Sequence, residues 1–375
     1  MTMSFRIAII GAGWYGCHVG LSLLSLQMQV DIYEKADRVM NMASGNNQFR
    51  LHQGFHYARH HGTRMQSRDG FIRFTERYGG LSSAVSENLY AVPRGSSIID
   101  FDTYKLIMVS SGLNFIECQN PTDYLTDIDG VLRTHERVIL LDRARRYFTE
   151  RLGGVLKLGT SVDEIRELGD EMIVNGKRYD YVIDATWGHL NGLPIPVIYE
   201  PTLLLYYEGA PELPAVTLVD GPLCSVYPTE DSSIYTLSSV PHTPLGRFDR
   251  ADAARARCNA LTTEEVSEKR AAMERQILPN LPSFCDRFRF MGIQLGIKTK
   301  PIGNFDDRSC HVYRKGRRFF ILSGKIDTIF YATERIISMI GFDHADLKDD
   351  GKGPIKKDIL LSEMAAPSNF AGSNS

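Results

Sequence analysis

The run FRIAIIGAGWYGCHVGLSLLSLQMQVDIYEK, residues 5–35, constrains the fold more than any other part of the chain. Phe5 to Ile10 is a short, Ile-rich apolar run of the kind that lies buried in a parallel sheet. Gly11, Gly13 and Gly16 follow in the pattern G-x-G-x-x-G. The first glycine permits a tight turn, the second lets backbone approach a pyrophosphate, and the third lets helix and strand pack closely. Free N–H groups at the helix start then meet phosphate charge. Val19, Leu23 and Leu26 recur at helical spacing, and Val30 to Tyr33 reads as a second strand. Glu34 stands eighteen residues after Gly16, near the position from which a carboxylate holds ribose hydroxyls. A carboxylate there disfavours a 2′-phosphate, which points to NAD or FAD over NADP. Trp14 and Tyr15 in the turn, and Lys35 after the acid, join the expected cofactor contacts.

Bulk properties exclude several other classes. The chain has 375 residues, 43% hydrophobic and 23% charged, enough for one or two domains with a sizeable core. A formal net charge of −2 gives no general attraction to nucleic acid or membrane. No stretch of eighteen apolar residues occurs, and the N-terminus lacks a signal-peptide pattern. The six cysteines are scattered without a C-x-x-C pair, which suits reduced thiols in a cytoplasm. The expected partner is a small-molecule substrate; the oligomeric state is left open.

Further along, residues 64–78 show aromatics at helical spacing. Residues 88–117 read as short strands with polar turns, and 141–152 as an amphipathic helix stopped by Gly153-Gly154. Strands are expected on both sides of Gly159 and in a hairpin closing at Asn175-Gly176. YDYVIDATWG gives a buried strand ending at Ala185-Thr186. Residues 197–240 read as antiparallel strands, 251–278 as helix, and 317–341 as strand, turn and helix. A polar tail starts near residue 346.

The stretch NNQFRLHQGFHYARHH, residues 46–61, holds four of the ten histidines. His52, His56 and His60 would stack on one helix face, but Gly54 interrupts that helix and no nearby Asp, Glu or Cys completes a metal shell. No metal is expected. Ser44, Asn46, Asn47 and Gln48 have the short polar side chains that suit contact with a phosphate or a polar cofactor chain.

The order of these parts resembles the FAD-dependent oxidoreductases of the D-amino-acid-oxidase-like group. The strand–turn–helix–strand unit ends in Glu34-Lys35. Ala43 to Arg59 is similar to the family's second cofactor motif, and its H-x-G-aromatic-x-Y core, from His52 to Tyr57, is closest to the L-2-hydroxyglutarate oxidase and glycerol-3-phosphate dehydrogenase branch. GTSVDEI, from Gly159, and YDYVIDATWG resemble the family's adenine-contacting and Ala-Thr-Gly strands. LSGKIDTIF sits where the family closes over the flavin. The chain departs from the pattern at Trp187, which interrupts Ala-Thr-Gly, and in a C-terminal loop with fewer glycines.

The resemblance implies an α/β fold with an α+β insertion: a Rossmann-like FAD-binding domain and an antiparallel-sheet substrate domain. Residues 1–85, 135–195 and 300–345 would form the first, residues 86–134 and 196–299 the second, and 346–375 a polar tail. FAD is the expected cofactor. Its expected contacts are Gly11, Gly13, Trp14, Tyr15, Gly16, Glu34, Lys35, Ser44, Asn46, Asn47, Gln48, His52, Val162, Ala185, Thr186, Gly324, Lys325, Ile326, Asp327 and Thr328.

The implied reaction moves a hydride from a C–N or C–O bond of an amine, amino acid or hydroxy acid to the flavin. His52 is the first candidate for base or flavin contact, with Arg50 beside it; Lys325 would stabilise negative charge on the reduced flavin. Relatives hold the substrate acid with an arginine in a Gly-x-Arg-Pro segment; here Lys298 and Lys300 precede Pro301, and a lysine binds an anion as a point charge. Tyr57 and Tyr227 complete the substrate candidates, with Tyr206, Tyr207 and His242 as further pocket residues. The alternatives are a flavin-dependent, non-redox isomerase similar to the sugar mutases and a catalytically inactive flavin-binding protein.

Overall fold

The computed structural model describes residues 5–118, 124–303 and 307–343. The expected polar tail lies outside these residues, as do residues 304–306 of the segment after Pro301.

A six-stranded sheet carries the glycine turn. Its order is His311–Lys315, Arg318–Leu322, Tyr181–Asp184, Arg6–Ile10, Gln29–Tyr33, Leu156–Lys157. All pairs are parallel except at the His311–Lys315 edge. The chain runs from Arg6–Ile10 to Gln29–Tyr33 on one side and returns later to Tyr181–Asp184 on the other. The turn after Ile10 therefore opens where the strand order reverses, the place where open α/β sheets bind ligands. The first helix, Trp14–Ser25, packs with the last, Ile329–Asp343, in an apolar core that also takes Phe74, Tyr78 and Phe148.

An eight-stranded sheet forms the second layer. Its order is Arg289–Pro301, Val197–Glu208, Ile234–Ser239, Cys224–Pro228, Ala215–Leu218, Asn88–Pro93, Ile128–Thr134, Ile116–Cys118. Its two faces differ in chemistry because its strands alternate. Leu89, Val216, Val226, Leu237 and Leu205 face one way, onto Met273, Ile277 and Phe284 of the covering helices. The register places Tyr90, Thr217, Ser225, Tyr227, Thr236, Thr202, Glu200 and Lys298 on the opposite face. All of these but Lys298 are buried. A buried polar face is costly unless it is hydrogen-bonded or serves a ligand.

A short sheet joins the two layers. Arg50–Leu51 pairs antiparallel with Arg137–Ile139, Leu51 opposite Arg137. The hairpin at Asn175-Gly176 forms with both residues at positive φ, 46° and 76°, as a two-residue turn requires.

Three segments depart from the sequence reading. Residues 101–110, expected among strands and turns, form the helix Phe101–Ser110, whose N-cap Asp100 accepts the Thr103 N–H at 2.8 Å. The single helix expected over 251–278 is two helices, Ala251–Asn259 and Thr263–Ile277. Thr262 starts the second through a capping box with Glu265, so the chain breaks there despite good helix formers on both sides. The helix expected from residue 64 begins at His61 because His60 Nδ1 caps it, accepting the Thr63 N–H. Among the described residues, no helix is long and apolar enough to cross a membrane.

Candidate functional site

The turn from Gly11 to Gly16 is tight enough that each glycine is needed for a separate reason. Gly11 has φ 97°, and a Cβ there would lie 3.2 Å from the Ala185 carbonyl oxygen. A Cβ on Gly16 would lie 1.9 Å from the Gly11 carbonyl oxygen. A Cβ on Gly13 would lie 2.8 Å from Ser44 Oγ. Gly13 is the N-cap of the first helix and supplies no side-chain cap, so first-turn N–H groups stay available for an anion. Ser44 Oγ accepts the Trp14 N–H at 3.1 Å. Glu34 accepts from Ala12 N at 2.9 Å and Ala36 N at 3.0 Å, so its remaining lone pairs are what it offers a ribose. Lys35 is exposed beside it.

Several expected cofactor contacts are placed where their side chains hold the protein together. The indole of Trp14 is in the core, 5.4 Å from the rings of Phe74 and Phe148, so only its backbone faces the turn. Tyr15 is buried, and its hydroxyl meets Ser323 Oγ, the Lys325 carbonyl and Thr328 Oγ1. Asn46 Nδ2 donates to the carbonyls of Asn41 and Met42, and Asn47 Nδ2 to that of Ala43. Gln48 reaches the polar sheet face, donating to Thr236 and accepting from Ser225. Val162 is buried with Val174 and Val182. The Ala185 N–H bonds the Ile10 carbonyl, and the Thr186 hydroxyl donates to Asp184 Oδ1.

Downstream of this loop, charged and aromatic side chains converge. Arg50 is buried, its guanidinium 4.1 Å over the Tyr227 ring and its Nη1 3.4 Å from Tyr90 Oη. The ring centroids of His52, His56 and Tyr57 lie within 6 Å of one another, at 5.9, 5.8 and 5.2 Å. Lys325 Nζ sits 4.1 Å over the Tyr57 ring. Asp327 is 1% exposed, and neither of its oxygens has a hydrogen-bond partner. Glu136, also 1% exposed, accepts from Gln53 N and from the Tyr90 hydroxyl, each at 2.8 Å.

Burial governs the charge states. It holds the His52 imidazole well below its usual range, with the Lys325 and Arg50 charges pushing the same way. Burial does the same to His56, reinforced by Arg50, His52 and Lys325. Burial lowers the Lys325 ammonium and raises the Asp327 carboxyl, each partly offset by the other. Burial also raises Glu136, against the pull of Arg50. Both imidazoles are therefore neutral at pH 7 and able to accept a proton.

Of the substrate candidates, Lys300 pairs with Glu200. Tyr227 donates its hydroxyl to the Arg137 carbonyl and lends its face to Arg50, so it supports the site from below. Lys298 stays exposed, yet surrounding protein together with Lys300 and Arg308 lowers its ammonium to about 8. Gly324 packs on the Arg308 stem, Ile326 lies against the core, and Thr328 is buried. Tyr207 is buried on the opposite, apolar face of the sheet, and its hydroxyl is taken by Glu274; this removes it from the pocket candidates.

Unpartnered buried polar atoms concentrate here: Arg50 Nε and Nη2, His52 Nδ1, Gln53 Oε1, His56 Nδ1, Asn88 Oδ1, Thr217 Oγ1 and both Asp327 oxygens. Folded proteins leave few such atoms, and a cluster marks a place built for binding or chemistry. Glu136, Tyr90 and Asn88 were not found by sequence reasoning. They sit in no motif, and their place follows from long-range pairing alone. Among the described residues, no group of three or more His, Cys, Asp or Glu side chains is arranged to hold a metal.

No family model matches the chain. Among curated proteins it is 56% identical over 334 residues to the FAD-dependent monooxygenase FPY4 of Fusarium mangiferae, covering 89% of this chain and 90% of that protein. It is 27% identical over 370 residues to the FAD-dependent monooxygenase kojA of Aspergillus flavus, covering 89% and 85%. Its fold is similar to the L-alpha-glycerophosphate oxidase of Mycoplasma pneumoniae, at TM-score 0.68 and 13% identity over 90% of this chain and 95% of that one. The glycine oxidase of Geobacillus kaustophilus superposes at TM-score 0.65 and 16% identity, over 93% and 97%.

Proposed function

Because this chain belongs to the family of the FAD-dependent monooxygenase FPY4 and shares the fold of the glycerophosphate and glycine oxidases, we propose that it oxidises a C–O or C–N bond of a small polar substrate, with His52 as the base. It is an enzyme, and FAD is its cofactor. The structure suits that cofactor: the glycine turn admits no Cβ at Gly16, one at Gly13 would crowd Ser44 Oγ, and the N-cap Gly13 supplies no side-chain cap. The backbone of residues 11–16 and Ser44 would hold the pyrophosphate, Glu34 the ribose, and the loop from Gly324 to Thr328 the flavin end. Bound FAD supplies the hydride acceptor.

The observation that carries the reading is the pair of clustered imidazoles, His52 and His56, with ring centroids 5.9 Å apart, set against a buried polar sheet face. His52 Nδ1 is closed off, which leaves Nε2 to take the proton of a substrate hydroxyl or amine. Burial first, then the Lys325 and Arg50 charges, disfavour the protonated imidazole beforehand. Lys298 is the cation placed to hold an anionic group of the substrate. Tyr90, Thr217 and Thr236 are buried, which would keep water from a substrate held there.

A second reading, oxygen insertion, is favoured by the names of the curated relatives. Anaerobic mixing separates the two. A panel of polar hydroxy and amino compounds is mixed with the yellow holoprotein, with and without nicotinamide nucleotides. Bleaching by one of the compounds alone supports direct substrate oxidation. Bleaching only with a nicotinamide nucleotide, together with ¹⁸O from labelled dioxygen in the product, overturns it in favour of oxygen insertion.

A further inference from the structure

We propose that Glu136 is a positioning residue for His52, fixing the imidazole with its proton on Nδ1 and its lone pair on Nε2. This rests on the reading of His52 as the base and adds the group that orients it.

The placement follows from the short antiparallel sheet. Leu51 pairs with Arg137, so the next residue on one strand, His52, falls beside the preceding residue on the other, Glu136. His52 Nδ1 lies 3.7 Å from Glu136 Oε1. The same oxygen accepts the Gln53 N–H at 2.8 Å, so one carboxylate grips the backbone just after His52 and faces its ring. The other oxygen accepts the Tyr90 hydroxyl at 2.8 Å and lies 3.5 Å from Asn88 Nδ2. Glu136 is thus held from one strand of the large sheet, Asn88–Pro93, and one loop, and it cannot swing away without breaking several bonds.

The two ring nitrogens of His52 face different surroundings. Nδ1 is buried and has no hydrogen-bond partner, while the side chain keeps 12% of its surface accessible on the other edge. A neutral imidazole carries its proton on one nitrogen only. A carboxylate beside Nδ1 stabilises the Nδ1–H tautomer and, after proton uptake at Nε2, the imidazolium. The 3.7 Å separation is longer than a hydrogen bond, so in this structure the carboxylate acts on the ring through its charge. The remaining charged and titratable groups around the ring are Arg50, Lys325 and His56. Burial, then Lys325 and Arg50, oppose a charged imidazole, while the Glu136 carboxylate 3.7 Å away carries the opposite charge. Nothing in the local sequence T-H-E-R, residues 134–137, marks this role.

The test reads the tautomer directly and needs no substrate. Holoprotein labelled with ¹⁵N in histidine gives long-range ¹H–¹⁵N spectra in which the two tautomers differ, and the His52 signals are those lost in His52→Asn. The expected wild-type pattern at neutral pH is a protonated Nδ1 and a bare Nε2. Glu136→Gln should shift that equilibrium toward Nε2–H, and Glu136→Asp should restore most of it. A second readout is the pH dependence of anaerobic flavin reduction once a substrate is known. Glu136→Gln should lower the limiting rate tenfold or more with KM little changed. An Nε2–H tautomer in the wild type, or an unchanged tautomer in Glu136→Gln, overturns the proposal. Because the spectra do not depend on the reaction, a correct tautomer with no substrate oxidation would fault the function and leave the positioning role intact. Should Glu136→Gln not fold, the wild-type spectrum and Glu136→Asp still decide the matter.

Discussion

The hydroxyl oxygen of Tyr15 lies 2.5 Å from the carbonyl oxygen of Lys325, joining the start of the first helix to the loop that carries Lys325 and Asp327. One side chain thereby couples the glycine turn to the charged group at the far end of the chain. Ser323 and Thr328 lie 3.0 Å apart and share the same hydroxyl, so they compensate in part when it is removed. Tyr15→Phe should cost about 1–2 kcal/mol and weaken FAD retention on dilution. The check is thermal denaturation with flavin fluorescence; unchanged melting and retention would show that the loop is held by other contacts.

The glycine turn gives an ordered prediction. Gly16→Ala places its methyl against backbone, the Gly11 carbonyl, and should cost about 3 kcal/mol or more. Gly13→Ala meets only the end of the Ser44 side chain, so it should fold but bind FAD weakly. Adding Ser44→Ala should relieve the contact without restoring full affinity, since the Trp14 N–H loses its acceptor. Soluble yield, melting temperature and FAD affinity measure all three; a Gly16→Ala protein as stable as Gly13→Ala would contradict the described turn.

Acid should destabilise the fold through His18. Its Nδ1 lies 2.7 Å from the Tyr78 hydroxyl, and its ring centroid is 4.6 Å from that of Phe330. Burial first, then Arg77 and Arg73, lower its value from 6.5 to about 3. The native imidazole thus stays neutral while the unfolded one takes up a proton, and stability falls as pH falls from 6.5 toward 3. The slope is about 1.4 kcal/mol per pH unit for one such group. His18→Gln removes that titration and keeps a hydrogen-bonding group for Tyr78. Between pH 6.5 and about 5, the wild type should lose about 2 kcal/mol more than the variant in urea denaturation. Equal losses would mean that His18 is protonated in the native state.

Lys298 should govern affinity for anionic substrates. Lys298→Gln should raise KM about tenfold or more for an anionic substrate, with kcat changed less. In the wild type, KM should rise with pH above about 8, where the ammonium loses its proton. A neutral analogue should show neither effect. Identical pH profiles for the anion and the neutral analogue would remove Lys298 from the substrate contacts.

Local signals carried the nucleotide end of the molecule into the sequence. Gly11, Gly13, Gly16 and the strands around them announce a tight glycine turn, and the strand runs in residues 197–240 announce an antiparallel sheet. The rest depends on contacts between distant parts. Trp14 and Tyr15 stand inside the motif, yet their side chains serve the core and the C-terminal loop, because a helix start offers its backbone to a ligand and turns its side chains inward. Asn46 and Asn47 look like phosphate contacts by type, and their amides staple their own loop. Glu136 is silent in sequence because its meaning comes from pairing with a strand more than eighty residues away. The break at Thr262 was legible, since T-T-E-E holds a capping box, but the helical composition on both sides masked it.

His52 is proposed to take the substrate proton during oxidation. The direct measurement is the rate of anaerobic flavin reduction by substrate in His52→Asn against the wild type, at equal FAD content. Full FAD occupancy with reduction slowed by about 10²–10⁴-fold is the expected result. Full occupancy with an unchanged rate would contradict it.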